Sequence, residues 1–111
     1  MERIVLTNEN SWFNAEISEQ IQEQTEWDGQ NAISKATGQQ FEHETVYITA
    51  SGKIVLCEWS QWQGTQTTYT VIPVSKLAIW LIKNEIFEFD SDNLSKENLA
   101  VILRAIEESE I

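Results

Sequence analysis

The chain predicts an α+β domain: a three-stranded antiparallel meander, with the N-terminal strand as a possible fourth member, and helices packed on one face. Three observations carry this expectation. Residues 45–72 hold three β-rich runs separated by turn residues, and residues 74–84 and 92–106 repeat apolar side chains at helical spacing. With one proline, four glycines and no repeat or low-complexity tract, nothing interrupts the 111 residues, so 1–111 reads as a single acidic domain.

In chain order, Arg3-Ile4-Val5-Leu6-Thr7 is a short β-branched run stopped by Asn8-Glu9-Asn10, which predicts a strand and a turn. From Ser11 the spacing of Phe13, Ile17 and Ile21 predicts one stripe of an amphipathic helix to about Gln24, capped by Asn10 or Ser11. Trp27-Asp28-Gly29-Gln30-Asn31 ends it, because Asp-Gly tolerates the positive φ of a tight reversal. Residues 27–40 then form a long polar connection, a length uncommon in a compact domain unless the segment is ordered by its own contacts or used for binding.

Thr45-Val46-Tyr47-Ile48-Thr49 alternates, Ala50-Ser51-Gly52-Lys53 is a hairpin turn, and Ile54 to Trp59 is a more buried strand. Thr67 to Ile72 is the third strand of the meander. Tyr69 and Val71 share one of its faces, Thr68, Thr70 and Ile72 the other, and Pro73 ends it. Ser75 is a candidate cap for a helix whose Val74, Leu77, Ala78, Leu81 and Ile82 lie on one side, with Trp80 at the flank and Asn84 suited to a left-handed exit. Glu85 to Asp90 reads as an edge strand or an extended link. Asp92 to Ser95 opens a last helix in which Leu99, Ile102, Leu103 and Ile106 repeat at i, i+3, i+4, i+7.

Eighteen carboxylates against seven Lys and Arg give a formal charge of −11. Binding to a phosphate backbone relies on a basic footprint, so direct nucleic-acid binding and docking on an anionic membrane are disfavoured, and partners are expected to be neutral or basic proteins. The acids are uneven: residues 1–30 carry seven acids and one base, and residues 85–111 carry eight acids and two bases. No apolar run approaches a membrane span and the first residues lack a signal-peptide core, which with one cysteine predicts a cytosolic setting.

Catalytic motifs are missing. His43 and Cys57 make a nucleophilic pair only if adjacent strands join them, but Cys57 between Leu56 and Glu58 has the setting of a small core residue. One His and one Cys cannot complete a structural zinc site, and the four isolated glycines form no phosphate cradle, so no metal, cofactor or catalytic residue is expected. The five tryptophans carry more information. Trp12, Trp27, Trp59, Trp62 and Trp80 all lie at or near polar residues, where an indole serves either as core filling or as an interface anchor with large apolar area.

Trp27-Asp28-Gly29-Gln30-Asn31-Ala32-Ile33-Ser34, Thr37-Gly38, Glu42-His43-Glu44, Tyr47, Gly52, Trp59-Ser60-Gln61-Trp62-Gln63-Gly64, Ala78, Trp80-Leu81 and Asn84 together resemble a group of small uncharacterised bacterial proteins. The Ser-Gln-Trp-Gln-Gly element is the most specific part. The resemblance implies a bacterial origin and a self-contained domain, and no activity.

The expected function is therefore a non-enzymatic interaction module or regulator. It would present Trp27, Asp28 and Asn31 from one loop, Trp59, Gln61, Trp62 and Gln63 from another, and His43 between them to a protein partner, its own copy among the candidates. Two other classes remain open. One is an acidic inhibitor, antitoxin-like or anti-defence, whose carboxylates stand in for nucleic-acid phosphates. The other is a small-ligand binder or enzyme built on the 27–44 polar loop, with Asp28, Asn31, His43 and Gln63 as its polar groups.

Overall fold

The β-branched and aromatic runs of residues 42–72 form the meander, and its alternation sets the two layers of the molecule. A computed structural model describes residues 2–111. Eight short strands occur in the order β1 (Arg3–Val5), β2 (Trp12–Asn14), β3 (Glu19–Gln22), β4 (Thr25–Trp27), β5 (Ala32–Ser34), β6 (Glu42–Ile48), β7 (Ile54–Ser60) and β8 (Thr68–Ile72). Helices α1 (Val74–Lys83) and α2 (Lys96–Glu108) follow. The central sheet has the order β3-β6-β7-β8, all antiparallel, while β1-β2 and β4-β5 are separate hairpins.

Register aligns Val46 with Leu56, and Ile48 with Ile54 and Ile72, on the face that packs against Leu77, Ala78, Trp80 and Leu81 of α1 and Ile102 and Ile106 of α2. The opposite face offers Tyr47, Val55 and Tyr69, which the β1-β2 hairpin covers with Leu6 and Phe13. The predicted facing of Tyr69 away from Ile72 follows from the same alternation. Thr7 also closes part of the free edge of β8. Its N–H donates to the Tyr69 carbonyl at 2.8 Å, and its hydroxyl accepts the Tyr69 N–H at 2.9 Å.

The α+β class, the meander and the helical layer are as the sequence predicts, but the fourth strand is β3 and not the N-terminal strand, which pairs only with β2. The helix expected over residues 11–24 is replaced by β2, a 3-10 turn at Ala15–Ile17 and β3. Phe13, Ile17 and Ile21 stand four apart, a spacing that a helix and a two-residue alternation satisfy equally. Phe13 enters the hairpin-side core, Ile21 packs on the helix-side core, and Ile17 is exposed, so no common stripe exists. Cross-strand pairing of Gln20 with Tyr47 and Gln22 with Thr45 stabilises the extended form.

Smaller corrections concern chain ends. Pro73, not Ser75, occupies the N-cap of α1 and makes no side-chain cap bond. Asn84 leaves α1 at φ −85, and the left-handed residue is Glu85 at φ 57. Residues 85–90 form no strand. Ser95 caps α2 through a bond from the Asn98 N–H, and Leu103 of the expected stripe lies outward. Residues 27–40 are partly ordered by the β4-β5 hairpin.

Candidate functional site

The residues singled out by sequence gather at one end of the central sheet, where β6 begins and β7 ends. The Asp28 carboxylate accepts the N–H groups of Gln30 and Asn31, both at 2.8 Å, and those donors hold its carboxyl below the usual carboxylate range. This closes the β4-β5 turn, in which Gly29 takes φ 104. Trp27, at the start of the turn, is 69% exposed.

The second loop is joined to the first through Gln40 and Phe41. Gln40 Nε2 donates to Asn31 Oδ1 at 3.0 Å, the Phe41 carbonyl accepts the Gln61 N–H at 2.9 Å, and the Phe41 ring lies 4.7 Å from that of Trp62. Trp62 is nevertheless 59% exposed, and Gln61 and Gln63 are exposed beside it. The Ser60 hydroxyl accepts the Trp62 N–H, which shapes the bend at the end of β7.

Beneath this surface lies a polar cluster. His43 and Trp59 are direct neighbours across β6 and β7, and their rings stack at 4.5 Å. Imidazole Nδ1 lies 2.6 Å from Glu23 Oε2, and the other oxygen of that carboxylate accepts the Ser34 hydroxyl at 2.8 Å and the Glu44 N–H at 2.6 Å. Trp59 Nε1 donates to Thr45 Oγ1. His43 Nε2 is buried and has no hydrogen-bond partner among the described residues.

Of the predicted set, then, Trp27, Asp28, Gln61, Trp62 and Gln63 are at the surface, Asn31 links the two loops, and His43 and Trp59 are half-buried supports. Cys57 lies two rungs from His43, paired with Thr45, but no bond joins the two side chains. Burial pushes its thiol above the ordinary value, the opposite of an activated nucleophile. Glu42 and Glu44 point to the sheet face opposite His43 by strand alternation, so the three do not converge. Glu44 instead accepts the Trp80 indole N–H at 2.9 Å.

Glu23, Gln40 and Phe41 carry this arrangement and give no sequence signal, since each depends on a partner brought in by long-range pairing. Two clefts stand out among the described residues, and neither is lined by Asp28, Asn31, His43 or Gln63. No helix among the described residues is long and apolar enough to cross a membrane. No family model, curated protein or solved structure matches the chain.

Proposed function

We propose that this chain is a non-enzymatic interaction module that binds a neutral or basic protein through the surface formed by the β4-β5 turn and the bend after β7. The observation that carries the reading is the joint exposure of Trp27 and Trp62 on two loops tied together by the Asn31–Gln40 and Phe41–Gln61 bonds. An indole left in water forgoes roughly 1.5–3 kcal/mol of burial. The chain buries Trp80 and leaves Trp12, Trp27 and Trp62 exposed; Trp12 sits on the β1-β2 hairpin under the Arg3 guanidinium, whereas Trp27 and Trp62 lie on the two joined loops.

Charge supports a basic partner. Residues 54–75 contain no Lys or Arg, residues 36–52 contain none either, Glu26 and Asp28 flank Trp27 in sequence, and Glu42 pairs with Ser60 two residues before Trp62. Arginine side chains suit such a surface, because a guanidinium pairs with carboxylates and stacks on indole faces. The buried Cys57, the one cysteine of the chain, fits a cytoplasmic setting.

The test is affinity capture from a host lysate on immobilised wild type and on the Trp27→Ala/Trp62→Ala variant at two salt concentrations. A specific protein retained by the wild type at both, and lost by the variant, supports the reading. Retention that collapses with salt and ignores the indoles supports the phosphate-mimic class instead.

A further inference from the structure

The β1-β2 hairpin has only three residues in each strand, too few to cover the sheet face opposite the helices. Its buried contribution is Leu6 and Phe13 over Val55, and beyond them the layer opens into a cleft of about 560 Å³. That size falls in the range of small-molecule sites, and the floor is apolar. At its rim, Ile17 is 59% and Val71 39% exposed, large apolar groups that a ligand would cover.

The lip is not apolar. Lys53 lines the cleft on the wall formed by the β6-β7 turn, and it is the only Lys or Arg among the lining residues. Its backbone is pinned to Thr49, whose N–H donates to the Lys53 carbonyl at 2.8 Å and whose hydroxyl accepts the Lys53 N–H at 3.1 Å. Among the described residues its ammonium makes no ion pair, although the chain carries eighteen carboxylates. Glu9 belongs to the other wall, on the β1-β2 turn.

We infer that this cleft binds an amphipathic monoanion, an alkyl or aryl carboxylate, with its apolar body against the exposed Trp12, Ile17 and Val71, over the buried Leu6 and Phe13, and its carboxylate at Lys53. Charge complementarity selects this occupant: one unpaired cation at one end of an apolar trough accepts one negative head. Glu9 repels that head from the hairpin wall and so sets the ligand's direction. Burial of the body supplies most of the affinity. An exposed ion pair contributes a factor of about two to five.

The test uses octanoate, octan-1-ol and octylammonium as probes, each titrated into the isotope-labelled full chain with amide shifts read by NMR. The expected result is saturable shifts confined to residues 6–17, 49–55 and 71, with octanoate bound about two- to fivefold more tightly than the alcohol and octylammonium weakest. Lys53→Ala brings octanoate to the level of the alcohol. Val71→Trp, at an exposed strand position that accepts an aromatic side chain, abolishes binding of all three. The inference is overturned if octanoate gives no saturable shift, if octylammonium binds most tightly, if Lys53→Ala leaves the order unchanged, or if sedimentation finds the cleft closed by a second copy that Val71→Trp releases.

Discussion

Gln40 donates its side-chain amide to Asn31 Oδ1 at 3.0 Å, and this bond joins the β4-β5 turn to the chain that enters β6. The next residue, Phe41, holds the bend after β7 through its carbonyl and its ring. Two loops separated by some thirty residues of sequence thereby become one surface.

The tryptophans are expected to divide by role. Trp80 is buried and donates to Glu44, so Trp80→Ala should cost about 3–5 kcal/mol and leave little folded protein. Trp27→Ala should shift the denaturant midpoint hardly at all, and Trp62→Ala should cost about 1 kcal/mol through the lost Phe41 contact. Urea melts of the three variants check this.

Asn84 is fully buried and works as a clasp. Its Nδ2 donates to the Trp80 carbonyl, and its Oδ1 accepts the Gln24 N–H, both at 2.9 Å. Asn84→Ala leaves the Gln24 donor without a partner and should cost about 2–3 kcal/mol. Asn84→Asp sets a carboxylate oxygen against the Trp80 carbonyl in a fully buried site and should cost more than Asn84→Ala at neutral pH. Chemical denaturation measures both, and hydrogen exchange at Gln24 should rise first.

Burial raises the Glu44 carboxyl above its ordinary value of 4.5, opposed by the Trp80 bond and Lys83 and assisted by Glu58 and Glu23. A carboxyl with a raised folded value binds its proton more tightly when folded. Its contribution therefore favours the folded state at low pH and fades as pH rises from 4.5 through the elevated value. Glu44→Gln keeps an oxygen for the indole N–H and has no proton to lose. Its stability should exceed that of the wild type above this window, with the gap closing below it, in denaturant melts taken between about pH 4 and 7.

Gly52 closes the β6-β7 turn at φ 84, and a Cβ there would meet the Asn93 carbonyl at 3.1 Å. Asn93 in turn donates to the Ile48 carbonyl at 2.9 Å. Gly52→Ala combines a disfavoured backbone conformation with this close approach and should cost about 1–2 kcal/mol. Thermal melting checks it.

The part of this molecule that was legible in the sequence is the part governed by local pattern. Val46, Tyr47 and Ile48 alternate, Gly52 supplies the turn, and Leu77, Ala78 and Leu81 recur at helical spacing, so meander and α1 could be read directly. Residues 11–24 could not, because their strand character comes from partners far along the chain: Tyr47 and Thr45 opposite Gln20 and Gln22, and Val55 beneath Phe13. The loops bearing Trp27 and Trp62 were visible as turn chemistry beside indoles. Their adjacency was not, since Gln40 and Phe41 look like ordinary linker residues. Glu23 was hidden for the same reason, standing twenty residues from His43 in a stretch that mimics a helix.

Exposed indoles, tied together by Gln40 and Phe41, are the proposed binding surface. Its most direct measurement is the dissociation constant of a captured partner for wild type and for the singly substituted Trp27→Ala and Trp62→Ala proteins, each verified as folded by circular dichroism. Each substitution should weaken binding about thirtyfold, near 2 kcal/mol, with little dependence on salt. Equal constants for all three proteins would contradict it.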